Sequence, residues 1–150
     1  MTTKTRVLFV CVHNAARSQM AEAWLHRLAG DRCAAESAGL EPGTLNPIVV
    51  EAMREVGMDI SRNRTKDIFA FIRQGRRYDY VITVCDAAAA ERCPVFPGAT
   101  TRLHWSFPDP ARFTGTPAEV LAQTRRVRDA IHARIETWIA SLEPKEVRRG

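Results

Sequence analysis

Apolar residues fall along this chain in short blocks, and their spacing changes character from one block to the next. Residues 6–10 read Arg-Val-Leu-Phe-Val, an almost unbroken apolar run expected of a strand covered on both faces. Over residues 19–28 the apolar positions Met20, Ala23, Trp24 and Leu28 recur at helical spacing, with Ser18 as the expected cap and Gly30 as the stop. A short second strand is predicted at 34–38. Gly39 and the turn-rich Glu41-Pro-Gly-Thr segment then lead into a helix from about Pro47 to about Gly57, opened by Asn46-Pro47. The pattern continues with a short helix over 67–73, a third strand at 80–84, a loop carrying Cys85 and Cys93, and a shorter fourth strand around Leu103. Pro108, Pro110 and Pro117 make 105–117 a loop. Val120, Val127, Ile131, Ile135, Trp138, Ile139 and Leu142 then give the period of a long terminal helix, and the residues from Pro144 onward are expected to fray.

Strands alternating with helices imply a three-layer α/β fold, with a mainly parallel sheet of four strands and helices on both faces. In such sheets ligands bind at the carboxyl ends of the strands, where the strand order reverses. A length of 150 residues fits one domain spanning 1–150. No apolar run approaches the roughly 18 to 20 residues of a membrane span, and the start lacks a secretory pattern, so a cytoplasmic location without a membrane partner is expected.

Charge narrows the ligand. The net charge of +5 is spread along the chain apart from short clusters such as Arg76-Arg77 and Arg125-Arg126, which suits a small anion in a local pocket better than a nucleic acid. Four cysteines without an export signal read as reactive or metal-binding thiols rather than a disulfide framework. No C-x2-C pair supports zinc.

The most informative segment is Cys11-Val12-His13-Asn14-Ala15-Ala16-Arg17-Ser18, a C-x5-R-S sequence between the first strand and the first helix. Successive backbone N–H groups in such a turn can cradle an anion, and the helix N-terminus adds partial positive charge. Arg17 supplies a planar fork for two oxygens of a tetrahedral anion. All of these favour the thiolate of a cysteine at the base of the loop, which makes Cys11 the candidate nucleophile. No Walker-type G-x4-G-K-[ST] sequence competes with this reading.

With these residues the chain resembles the low-molecular-weight tyrosine phosphatases and the arsenate reductases built on their fold. The resemblance covers nearly the whole chain. It runs through the loop, Ser37-Ala-Gly39, Val84-Cys85-Asp86, Cys93-Pro94 and Trp105-Ser-Phe-Pro-Asp109-Pro110. It implies that Asp109, taken alone an ordinary turn aspartate before proline, is the general acid. It implies that Asn14 and Ser18 hold the loop in shape, and that Asn14, Glu22, Ser37 and Asp67 match the ligands of a potassium ion bound by some of the reductases. No other cofactor is implied.

Cys85 and Cys93 divide the two branches. A phosphatase needs no further thiol, whereas arsenate reduction needs two electrons that a dithiol can supply. The segment Cys85-Asp-Ala-Ala-Ala-Ala-Glu-Arg-Cys93-Pro resembles the redox loop of the thioredoxin-coupled reductases, although its spacing is a residue longer than the familiar pattern. The resemblance thus implies a relay from Cys11 to Cys85 to Cys93, with arsenate as substrate and phosphate or sulfate as analogues. The external reductant would be thioredoxin, or alternatively glutathione with glutaredoxin. The rival expectations are a tyrosine phosphatase, and a non-catalytic oxyanion or redox sensor. Against the phosphatase, Ala-Arg-Phe after Asp109-Pro110 lacks the paired tyrosines common beside the acid in that branch. Cys33 has no such company and reads as a non-catalytic thiol. Trp24 and Trp138 are expected in the core and Trp105 at the site rim.

Overall fold

A computed structural model describes residues 3–98 and 100–142; the expected frayed end beyond Pro144 lies outside them. Four strands, β1 (Thr5–Cys11), β2 (Cys33–Gly39), β3 (Tyr80–Thr83) and β4 (Thr101–His104), form a sheet in the order β2-β1-β3-β4. All three pairings are parallel. The chain steps from β1 to one side, then crosses back to the other, so the strand order reverses at β1 as expected.

The sequence of β1 follows from its place. Val7, Phe9 and Cys11 enter one core and Leu8 and Val10 the other, so both alternating sets are apolar. The first core receives Met20, Ala21, Trp24 and Leu25 of α1 (Arg17–Ala29) and Val127, Ile131, Ile135 and Trp138 of the terminal helix, Pro117–Ser141. It also takes Val49 and Met53 of α2 (Pro47–Arg54). The second core is covered by Ile68 and Phe71 of α3 (Ile68–Arg73), together with Tyr78, Cys93 and Phe96. These are the three expected layers.

Local signals explain most boundaries. Asn46 Oδ1 accepts from the N–H of Ile48 at 2.9 Å, with Pro47 opening α2. Thr116 and Glu119 form a reciprocal capping box at the start of the terminal helix. Within the expected loop 105–117, Pro110–Arg112 winds into a single turn of 3-10 helix. Two further expectations fail. The segment after β3 is not wholly loop, because Ala87–Ala90 forms a short helix, α4, capped by Asp86; the terminal helix is therefore α5. Ser18 does not cap α1, which starts at Arg17 and has Ala16 at its cap position with no side-chain cap. The Ser18 hydroxyl is engaged elsewhere.

Candidate active site

Between β1 and α1 the backbone turns so that its carbonyls all find outside partners. Cys11, Val12, His13 and Ala15 accept from the N–H groups of Leu40 (3.2 Å), Glu41 (2.8 Å), Gly43 (3.0 Å) and Asn46 (3.0 Å). Asn14 C=O accepts from Gln19 Nε2 at 3.1 Å and Ala16 C=O from the Met20 N–H at 3.0 Å. The N–H groups of Val12 to Arg17 have no acceptor among the described residues. With every carbonyl committed outward, these amides are left to an anion, at the N-terminus of a 13-residue helix. Asn14 makes the turn with φ of 53°, in the left-handed region that asparagine tolerates. His13 is exposed beside the cleft, its Nδ1 2.8 Å from the Glu41 carbonyl.

A chain of side chains sets the proton positions. Asn14 Nδ2 donates to Ser18 Oγ at 2.7 Å, and Ser18 Oγ lies 2.8 Å from Cys11 Sγ. A thiolate has no proton to give, so with Cys11 ionised the Ser18 hydroxyl donates to sulfur and stabilises its charge. That role displaces capping. Gln19, fully buried, ties Asn14 Oδ1 (3.1 Å) and the Arg64 carbonyl (2.8 Å) to the loop. Gly39 closes the back of the loop: a Cβ there would stand 2.7 Å from the Val12 carbonyl oxygen and 2.8 Å from Asn14 N, closer than packing allows.

Arg17, 6% exposed, is aimed by the loop after β4. Its Nη1 donates to the Phe107 carbonyl at 3.1 Å and its Nη2 lies 3.5 Å from Asp109 Oδ2. Asp109 is held in turn, its Oδ1 accepting from the Ala111 N–H at 3.0 Å. Cys11, Arg17 and Asp109 thus share one cleft of about 560 Å³, walled by Leu45, Pro47, Ile48 and Ala111. Among the described residues, His13 is the aromatic ring in its lining, and no phenylalanine, tyrosine or tryptophan joins it. Trp105, expected at the rim, is instead buried against Phe9 and Trp138, with ring centroids 6.2 and 6.0 Å away. Trp24 and Trp138 are core residues as expected.

Cys85 follows β3 as Cys11 ends the adjoining β1, and both thiols enter the same core. Cys93 does not join them. It is buried on the other side of the sheet with Leu8, Val81 and Phe96, and α4 lies between the two cysteines in sequence. Cys33 is buried at the start of β2. Burial pushes the Cys85 thiol up to about 11, with Arg17 opposing the rise and Cys11 adding to it. Burial likewise raises Cys33 and Cys93.

These raised thiols make an alkaline weakness. The unfolded chain loses its thiol protons first, so the stabilisation is intact below the ordinary thiol range and is lost as pH climbs toward about 11. For Cys85 alone, reducing urea titrations at about pH 8 and about pH 10.5 are expected to differ by about 2 kcal/mol. An unfolding free energy independent of pH across that interval would contradict the assignment.

The residues matched to potassium are close together but already engaged. Asn14 Oδ1 accepts from the N–H of Lys66 at 2.9 Å, and Ser37 Oγ donates to Glu22 Oε1 at 2.6 Å. Lys66 Nζ stands 3.2 Å from each of Glu22 Oε1 and Ser37 Oγ. Asp67 caps α3 through the Phe69 N–H and faces Arg73 at 4.0 Å. Two of the four, Glu22 and Ser37, thus face the Lys66 ammonium, while Asn14 meets the Lys66 backbone and Asp67 faces α3. Sequence reasoning missed Lys66, Gln19 and the Phe107 carbonyl. Apart from Asn14 beside Gln19, their partners lie 27 to 90 positions away, and no local motif marks them.

Comparison with known proteins agrees with this geometry. The low molecular weight phosphotyrosine protein phosphatase family matches residues 6–148, and the chain belongs to that family. It is 45% identical to an arsenate reductase of Bacillus subtilis over 132 residues, which cover 88% of this chain and 93% of the relative. A solved arsenate reductase in its oxidized state superposes with a TM-score of 0.75 at 32% identity, covering 93% of this chain and 99% of the other. A thioredoxin-dependent arsenate reductase of Corynebacterium glutamicum superposes at 0.62 with 30% identity, covering 89% of this chain and 63% of that one.

Proposed function

We propose that the chain is an arsenate reductase that passes electrons through its own cysteines. The carrying observation is Cys85, a fully buried thiol that enters the same core as Cys11 from the end of the next strand and has no role in phosphate hydrolysis. Similarity to the named reductases supports the same substrate.

Each step uses groups already described. Arsenate binds to the free amides of Val12, His13, Asn14, Ala15, Ala16 and Arg17 and to the Arg17 fork, with Ser18 at the base of the loop. Cys11 thiolate attacks arsenic while Asp109 protonates the departing oxygen, which leaves as water from a covalent thiol–arsenic(V) adduct. Cys85 then attacks Cys11 Sγ. The sulfur–arsenic bond breaks with its electron pair going to arsenic, arsenite leaves, and a Cys11–Cys85 disulfide forms. Attack of Cys93 on Cys85 frees Cys11 and leaves Cys85–Cys93 for an external dithiol. Thioredoxin is the proposed reductant, supported by the thioredoxin-dependent structural relative, and glutathione with glutaredoxin is the alternative.

The last exchange requires movement, since Cys85 and Cys93 face different cores. α4 has only four residues, all alanine, and Ala87 and Ala88 are exposed, so unwinding it forfeits little packing. Arsenite formation measured with thioredoxin and, separately, with glutathione and glutaredoxin tests the proposal. No arsenite in either system would sink it. Asp109→Asn is expected to lower turnover by roughly 10²- to 10⁴-fold with phosphate binding largely kept. Near-normal turnover with an unchanged pH profile would place the acid elsewhere.

A further inference from the structure

Lys66 touches the active-site support at three points. Its N–H donates to Asn14 Oδ1 at 2.9 Å, its carbonyl accepts from the Gly39 N–H at 2.8 Å, and its Nζ lies 3.2 Å from both Glu22 Oε1 and Ser37 Oγ. These partners come from the anion loop, from α1 and from β2. Asn14 continues the connection through Ser18 to Cys11 Sγ. Gly39 backs the loop so closely that a Cβ there would stand 2.7 Å from the Val12 carbonyl oxygen.

The charge balance at this point needs a cation. Glu22 is a half-buried carboxylate on α1, and Lys66 is its recorded ion-pair partner among the described residues. An unpaired carboxylate behind the loop would also oppose the negative charge that the loop is built to hold. An ammonium head and a potassium ion have nearly the same radius and charge, and both are satisfied by a few oxygen atoms. Glu22, Ser37 and Asn14, three of the four residues matched to potassium in the sequence, all contact Lys66, and the fourth, Asp67, is its neighbour in the chain.

We propose that Lys66 is a built-in monovalent cation: its tethered ammonium occupies the position between Glu22 and Ser37, holds the anion loop in its binding shape, and makes the chain independent of added potassium. Lys66 is a positioning residue, acting on Cys11 through Asn14 and Ser18. Tethering also removes the dependence on free ion concentration, because a group joined to the chain is present at high effective concentration once the fold forms.

The test compares wild type, Lys66→Ala and Lys66→Met in potassium, ammonium and choline chloride at about 100 mM, where a cation that binds only the folded state raises Tm. Two readouts are taken: Tm, and phosphate affinity by isothermal titration. Neither depends on the reaction proposed above, so a failure of that reading and a failure of this one are separable. Wild type is expected to show the same Tm and phosphate affinity in all three salts. Lys66→Ala, which opens an oxygen-lined space, is expected to bind phosphate about 10-fold more weakly in choline, and to recover both Tm and affinity in potassium or ammonium. Lys66→Met, which keeps the bulk without the charge, is expected to stay weak in every salt. A wild type stabilised by potassium, an unimpaired Lys66→Ala in choline, or an impaired Lys66→Ala that neither cation relieves would each overturn the proposal. If Lys66→Ala does not fold in choline, its recovery on refolding in potassium decides the matter in the same sense.

Discussion

Cys93→Ser is expected to release about one arsenite per enzyme molecule and then stop, with a disulfide between Cys11 and Cys85. The first two steps need only those two thiols, which lie at the ends of adjoining strands in one core. Cys93 sits on the far side of the sheet, and in the proposed relay it enters only after arsenite has gone. Removing it leaves chemistry intact and regeneration blocked, so steady-state turnover falls by orders of magnitude while the burst survives. Peptide mapping after a single turnover would locate the bond. Repeated turnovers by Cys93→Ser with thioredoxin as sole reductant would show that the third thiol is dispensable.

Cys11→Ser is expected to abolish both arsenite formation and the hydrolysis of aryl phosphates. An alcohol has a far higher pKa than a thiol, so a serine at this position stays neutral and unreactive. Serine also cannot form the disulfide through which electrons leave. The fold should survive, because Cys11 is a small buried residue and a hydroxyl can still pair with Ser18 Oγ, 2.8 Å away. Appreciable arsenate reduction by this variant, with an unchanged circular dichroism spectrum, would refute the nucleophile assignment.

How far each element could be read from the sequence depends on whether its cause is local. β1 was legible because burial on both faces writes an apolar residue at every position from Val7 to Val10. The anion loop was legible because its nucleophile, turn and arginine are contiguous. α4 was not, since four alanines carry no apolar period to distinguish a helical turn from a loop. Ser18 misled as a cap, because a serine before an amphipathic run is a good cap by composition; its hydroxyl instead meets Cys11 and Asn14, in keeping with the place in the loop that the resemblance implied for it. Trp105 misled for a similar reason: its neighbour in sequence, the acid loop, faces the cleft, while its ring turns back onto Phe9 and Trp138. Nothing in the sequence around Lys66 marks it. Its partners Asn14, Glu22 and Ser37 lie on three other segments, and no spacing rule connects them.

All four thiols are withdrawn from solvent, with Cys85 entirely covered and Cys93, the most accessible, 6% exposed. A dithiol stored in this way is guarded against peroxide and stray disulfides, because an oxidant must wait for the fold to present it. In the relay proposed above, substrate at Cys11 triggers release of the reducing equivalents, and the four-alanine helix has to open before Cys93 takes part. Under the proposed relay, such a store keeps its electrons for the acceptor bound at Cys11 and stays closed to other oxidants between turnovers.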